Sequence, residues 1–286
     1  MAPRNVGIYT ITVGDFEVTA LNDGMFQAAT ELLVGVEGAE AERLLRETFR
    51  VLPPRISVSA FLLRAGGRTV LLDAGTGVQM GVGVLGDVHV HLHALGIAPE
   101  AIDAVLMTHL HIDHAGGLID GEGRARFPRA EIVIHEREHG FWLVEGPPSN
   151  ADERTLGAFD LARRTTGPYR ERLRTAAGGE VLPGVTIEHL PGHTPGHSGY
   201  FLRSGGESLL IWGDVVHIPA VQLARPAASM AIDVDGEVAR TTRERVLDHT
   251  ASERILVAGM HLDFPTFGHV TRAGGGYAFV PVVWEP

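Results

Sequence analysis

The chain has 286 residues, 44% hydrophobic and 21% charged, the balance of an ordinary globular protein of one or two domains. Its net charge of −11 excludes the basic footprint that a nucleic-acid backbone requires. Cysteine and lysine are both absent, which excludes disulfides, thiolate ligands, a cysteine nucleophile and Schiff-base chemistry.

Residues 8–13 and 16–21 flank Gly14-Asp15 as an opening hairpin. Residues 39–50 carry Leu44, Leu45 and Phe49 at helical spacing. Hairpin and helix together make an N-terminal extension, residues 1–55, that offers a homodimer surface or a substrate lid. A second hairpin, 57–63 with 69–73, turns at Ala65-Gly66-Gly67. A helix is expected over 79–95, a short one opens at Pro99, and a buried strand covers 104–107. Strand 131–135 leads into helix 136–144, and 152–175 is helical in pattern with an interruption at Gly167-Pro168. Strands follow at 185–190, 199–203 and 208–212, then a helix over 237–250 and a terminal strand over 278–283. This order fits two mixed sheets back to back with helices outside. One domain over residues 1–286 is expected, since only one fold gathers the residues described next. No apolar run approaches the roughly 20 residues that span a bilayer. Met1–Asn5 lacks the apolar core of a secretory signal. A cytoplasmic protein without membrane contact is the expectation.

The densest chemistry is Thr108-His109-Leu110-His111-Ile112-Asp113-His114, followed by the close-turning Ala115-Gly116-Gly117. Pro191-Gly192-His193-Thr194-Pro195-Gly196-His197 comes later. Strand 209–212 ends at Gly213-Asp214, and residues 255–260 run into His261. Upstream, strand 69–72 stops at Asp73 in a glycine turn. Strand ends of this kind are where α/β proteins place their sites. Imidazole and carboxylate suit zinc and other borderline metals. Histidine and aspartate gathered in this number are enough for more than one metal ion.

His-x-His-x-Asp-His, a later His, a Gly-Asp and a final His, in this order, resemble the metallo-β-lactamase fold superfamily from about Phe16 to the C-terminus. The resemblance implies an α/β (α+β) fold, the four-layer αββα sandwich. It implies one divalent ion on His109, His111 and His193, a second on Asp113, His114 and His261, and Asp214 bridging both. Asp73 would bond a ligand imidazole and fix its tautomer. Zinc is the expected metal, and the same donors accept manganese, cobalt or iron. A single zinc lowers the pKa of its water from 15.7 to about 7. A hydroxide bridging the two ions would then attack a carbonyl or phosphorus, with Asp113 as a ligand or a proton relay.

Asp214 stands where true β-lactamases of this fold carry Cys or Ser, and His111 where flavodiiron proteins carry a carboxylate. Residues 271–286 offer only Arg272 where glyoxalase II-type thioesterases place basic residues. The chain resembles most the group containing methyl parathion hydrolase, through residues 14–24, Phe141-Trp142-Leu143, Ala220-Val221-Gln222, 261–269 and 276–282. The function implied is hydrolysis of small lactones or carboxylic (aryl) esters, with phosphotriesters as side substrates. A dedicated phosphotriesterase or an N-acyl homoserine lactonase is the alternative. His217 lies three residues after Asp214, where acyl homoserine lactonases commonly carry Tyr. It is either a proton donor to the leaving group or a wall residue bonded to backbone. Phe141, Trp142, Phe264 and Phe267 are candidate pocket walls, and His197 and His269 candidate supports behind the ligands.

Overall fold

The computed structural model describes residues 6–81 and 85–283. β1 (Ile8–Val13) and β2 (Phe16–Gln27) form the opening hairpin, with β2 longer than its apolar pattern. β3 (Leu33–Val34) and α1 (Gly38–Glu47) precede the hairpin of β4 (Arg55–Ala65) and β5 (Arg68–Leu72). Gly66 and Gly67 supply its two positive φ angles, 59° and 76°. α2 (Val88–Ala94), β6 (Ala104–Leu106), α3 (Ile112–Ala115), β7 (Glu131–His135), α4 (Glu136–His139), α5 (Glu153–Thr166) and β8 (Leu173–Ala176) follow. β9 (Gly179–Leu182), β10 (Val185–His189), β11 (Ser198–Ser204) and β12 (Glu207–Ile211) form a meander. α6 (Pro219–Gln222), β13 (Ser229–Met230), α7 (Gly236–Glu253), β14 (Leu256–Ala258), β15 (Gly268–Ala273) and β16 (Gly276–Pro281) complete the chain.

Two seven-stranded sheets result, ordered β1-β2-β4-β5-β6-β7-β8 and β16-β15-β14-β12-β11-β10-β9, with β13-β3 as a small third. β5 through β8 are parallel, as is the pair β12 and β14. The period of two in each strand separates the layers. Phe61, Leu72, Leu106 and Val133 face Ile187, Tyr200, Leu202 and Ile211 between the sheets. Their neighbours Leu62, Leu71, Val105 and Ile132 point outward under Leu92 of α2 and Phe159 of α5. Leu210, Trp212 and Val257 point the other way, under Val246 and Leu247 of α7. Helix, sheet, sheet and helix are therefore the four layers, the metallo-β-lactamase sandwich. β1 and β2 are strands of the first sheet, while Leu44 and Leu45 of α1 pack in a separate cluster with Ile56, Ile218 and Val221.

Several elements differ from the sequence pattern. The helix expected over 79–95 is confined to Val88–Ala94; residues 82–84 of that range lie outside the described residues. Gly77 and Gly86 take φ of 59° and 101°, and a Cβ on Gly86 would stand 2.0 Å from the Gly77 carbonyl oxygen, so the backbone at these two glycines is not helical. The helix expected to reach Thr175 stops at Thr166. Residues 167–172 form a 3₁₀ turn, and Leu173–Ala176 pairs in parallel with β7. Helix 136–144 has one α turn, then a π segment over Gly140–Glu145. β9 and β15 were not foreseen.

The 73–88 loop is held down by Asp23 of β2, a fully buried carboxylate. Its Oδ2 accepts from Thr76 N at 2.8 Å and Thr76 Oγ1 at 2.6 Å, and its Oδ1 from Val88 N at 3.0 Å. The loop in turn buttresses the histidine-rich turn, through Ala74 N to His114 O and Gly117 N to Gly75 O, both 2.8 Å. Asp23→Ala strands three buried donors. We expect a stability loss of about 2–4 kcal/mol in urea denaturation; a loss under about 0.5 kcal/mol would refute the anchoring role.

Candidate metal centre

The site lies at the carboxyl ends of β5, β6, β12 and β14, where the apolar strands stop and polar residues begin. β5 delivers Asp73, in the left-handed region at φ 55°, which aspartate tolerates better than most residues. β6 runs out through Met107 into His109 and His111, and the single turn of α3 presents Asp113 and His114. The loop before β11 brings His193, the turn after β12 brings Asp214, and the turn after β14 brings His261.

These side chains converge. His109 Nε2 lies 3.0 Å from His111 Nδ1, which lies 2.9 Å from His193 Nε2. Asp113 Oδ2 stands 3.6 Å from His114 Nε2 and 3.5 Å from His261 Nε2. Asp214 spans the two trios. Its Oδ2 is 3.7 Å from His109 Nε2, 3.3 Å from His193 Nε2 and 3.1 Å from His261 Nε2, and its Oδ1 is 3.3 Å from His114 Nε2. Ligands 2.0–2.1 Å from a tetrahedral ion stand about 3.3 Å from one another, and these separations bracket that value.

The far side of each ring explains its orientation. Thr108 Oγ1 donates to Asp73 Oδ2 at 2.7 Å and so accepts from His109 Nδ1 at 3.0 Å. His114 Nδ1 donates to Asp73 Oδ2 at 2.7 Å, His193 Nδ1 to Asp233 Oδ1 at 2.8 Å, and His261 Nδ1 to the Ser57 carbonyl at 2.8 Å. Four imidazoles are thereby locked with Nε2 aimed inward, the orientation a cation requires. His114 Nε2 and Asp214 Oδ1 have no hydrogen-bond partner. The donor set therefore fits divalent ions.

Without a cation the charges divide between the two trios, and an ion entering the second displaces protons from His114 and His261. Burial drives the His109 imidazole well below its usual range and His111 down to about 3, which keeps both neutral. Burial raises Asp113 and Asp214, but the His114 imidazole outweighs it, and both carboxyls fall below the usual range. Burial pulls His114 and His261 down, yet Asp214 and Asp113 push them above it.

His217 is buried in the same cluster. Its ring is stacked on His261 at 5.1 Å, and its Nε2 lies 3.1 Å from Asp214 Oδ2. Neither ring nitrogen forms a well-aligned hydrogen bond; the alternative of a wall residue bonded to backbone is not what the structure shows. His197 sits behind Asp214: its Nδ1 donates to Leu190 O at 2.7 Å, and its Nε2 accepts from Asp214 N at 2.8 Å.

Other candidates lie elsewhere. His269, expected behind the ligands, is exposed on β15 and bonds Ile255 O, because strand alternation turns it away from the core. Phe267, expected in the pocket, is fully buried between the sheets, 5.7 Å from the Phe61 ring and 6.2 Å from Tyr9. Phe264 packs on the same cluster. Trp142 is buried with its ring edge-on to His111 at 5.6 Å, and Phe141 packs on Trp142 and Phe159. Both support the site's floor as core residues. Asp233 and Glu138 were missed, since neither belongs to a ligand motif; nothing local marks a carboxylate 40 residues from the histidine it holds.

A model of the metallo-beta-lactamase superfamily matches residues 53–249, and the chain belongs to that superfamily of hydrolases. Among solved structures, hydrolase AbOPH of the beta-lactamase superfamily superposes at a TM-score of 0.94 with 31% identity, covering 99% of this chain and 100% of that one. AidC, a dizinc quorum-quenching lactonase, superposes at 0.90 with 23% identity over 98% and 99%. Among curated relatives, an N-acyl homoserine lactonase of Bacillus thuringiensis is 26% identical over 113 residues, 40% of this chain and 38% of that one. Ribonuclease Z of Mycobacterium bovis is 27% identical over 209 residues, 68% and 67%. The chain thus spans less than half the length of the lactonases it matches.

Asp233 Oδ1 holds His193 and its Oδ2 accepts from Met230 N at 2.8 Å, with Arg243 3.8 Å away. For Asp233→Asn we expect about 10–100-fold weaker zinc binding in competition with a chromophoric chelator. Unchanged affinity would show that His193 needs no partner.

Proposed function

We propose that this hydrolase is a dinuclear metal-dependent enzyme acting on small lactones or carboxylic (aryl) esters. The observation that carries the reading is the pair of ligand trios joined by one carboxylate, His109, His111 and His193 on one side and Asp113, His114 and His261 on the other, with Asp214 between. Divalent ions, zinc first, supply Lewis acidity and lower the pKa of water. The chain's own residues do the rest. Asp214 fixes the spacing of the two trios. Asp113 relays a proton, and His217, 3.1 Å from Asp214, hydrogen-bonds the leaving oxygen.

A cleft of about 230 Å³ adjoins this centre, lined by Met25, Leu45, Phe49, Val51, Ile218 and Ala220. Ser57, whose carbonyl holds His261, and Asp263 complete its wall, and Arg50 of the N-terminal segment pairs with Asp263. Its size suits a small ester or lactone, and Arg50, Arg55 and Asp263 add polar contacts to its apolar residues. A larger cleft of about 600 Å³ lies around Phe16, Leu63 and Val185; the smaller one is preferred because Ser57, which holds His261, and Ile218, next to His217, line it. The net charge of −11 disfavours a polynucleotide substrate, whatever the ribonuclease relatives do. The likeness to N-acyl homoserine lactonases supports lactones as the first class to try, with phosphotriesters as side substrates.

The test is a panel of aryl esters, γ- and δ-lactones, acyl homoserine lactones and phosphotriesters, compared by kcat/KM on zinc-loaded protein. Lactones or esters are expected to lead; a phosphotriester or RNA at the top would overturn the assignment. Chelation and His109→Ala are expected to abolish turnover. His217→Ala is expected to lower kcat about 10²-fold with metal content intact, and an unchanged kcat and KM would remove it from the mechanism.

A further inference from the structure

Glu138 is the buried acid that neither the fold nor the ligand set calls for. It sits on α4, fully buried, and both oxygens are saturated. Oε1 accepts from Leu110 N at 2.9 Å and Trp142 Nε1 at 2.6 Å. Oε2 accepts from Thr194 Oγ1 at 2.5 Å and Gly196 N at 3.2 Å. Leu110 stands between His109 and His111, and Thr194 follows His193. One carboxylate thus ties together the two loops, from different sheets, that carry the first trio. Trp142, the remaining partner, is the ring against which His111 rests. The approach is close by design of the backbone: a Cβ on Gly196 would stand 2.0 Å from Glu138 N, so only glycine admits α4 here.

We propose that Glu138 is a positioning residue that sets the spacing of His109, His111 and His193, and through it the affinity of that trio for a divalent ion. The claim rests on the reading of the site as a metal centre. Glu138 contacts no ligand ring and is not itself a ligand, since all four donors consume its oxygens. It acts on backbone and on Thr194, which fixes where the two loops meet. Burial pushes its carboxyl up to about 7 against the pull of Thr194, Leu110 and Trp142, so keeping an acid here costs stability. An acid is nonetheless the group that suits the place: four donors converge, and an amide would bring a fifth and sixth N–H among them.

The test uses full-length chain, wild type, Glu138→Gln and Thr194→Val. Zinc affinity is read at each site by chelator competition, the ligand field by the absorption of cobalt-substituted protein, and folding by circular dichroism and the melting temperature of the metal-free chain. Glu138→Gln is expected to bind one ion as wild type does and the other about 10–100-fold more weakly, with an altered cobalt spectrum. Thr194→Val, which removes one of the four donors, is expected to weaken the same ion about 5-fold. A lower melting temperature with both affinities and the cobalt spectrum unchanged would make Glu138 a structural acid only and overturn the proposal. If Glu138→Gln does not fold, Thr194→Val decides: wild-type affinity at both sites overturns it. Wild type that binds no ion would sink the metal-centre reading and this inference together, before any variant is compared.

Discussion

Lone pairs repel, and this fold forces several of them into one small volume. His109, His114, His193 and His261 turn their inner nitrogens toward Asp214 at 3.1–3.7 Å, and His111 stands 2.9 Å from His193. In the absence of a cation such an arrangement is held only by the rest of the protein. The holding groups are visible: a threonine relay, Asp73, Asp233 and the Ser57 carbonyl each fix the outer nitrogen of one ring. Every one of these bonds spends a donor that would otherwise allow the ring to turn. The imidazoles are therefore oriented before anything binds, which lowers the reorganisation that binding requires.

The sandwich makes this possible by contributing strand ends from both sheets to one edge. β5 and β6 of the first sheet lie parallel, and so do β12 and β14 of the second, so their carboxyl ends emerge side by side. Backbone that must turn sharply at those ends adopts unusual angles. Asp73 has φ 55° and Gly213 φ 62°, and a Cβ on Gly213 would lie 2.4 Å from His197 Nε2. Conformations of this kind persist where surrounding contacts over-determine them. Here the contacts are the hydrogen bonds of the site itself.

What was legible in the sequence follows from this division. The αββα order could be read because hairpins and strand-helix units differ in hydrophobic period. The seven converging side chains could be read because their order resembles the superfamily motif, and the strand ends and glycine turns around them agree with it. Their supports were legible only when local. Asp73 stands at a strand end like the ligands, whereas Asp233 and Glu138 sit in unremarkable segments and reach the site only through folding. Strand alternation was the second limit. Phe267, which ends the turn before β15, packs into the core, whereas His269 on β15 faces solvent opposite the buried Val270. Leu173–Ala176 reads as helix from its arginines and is a strand because β7 offers an unpaired edge beside it.

The region matched by the superfamily model explains why reaction class and substrate separate. It runs from residue 53 to residue 249 and holds the His109 to Asp214 part of the centre. The cleft beside that centre takes Met25, Leu45, Phe49, Arg50 and Val51 from before it, and Asp263 from after it. Phe49 is 96% exposed at φ 59°, an aromatic ring held out from the protein at the mouth of this cleft. A shared chemical core combined with walls drawn from outside it is how one scaffold serves many substrates. Selection among substrates is therefore to be sought partly in the first 52 residues and the segment after His261, where replacements reshape the cleft while leaving the imidazoles and their supports in place.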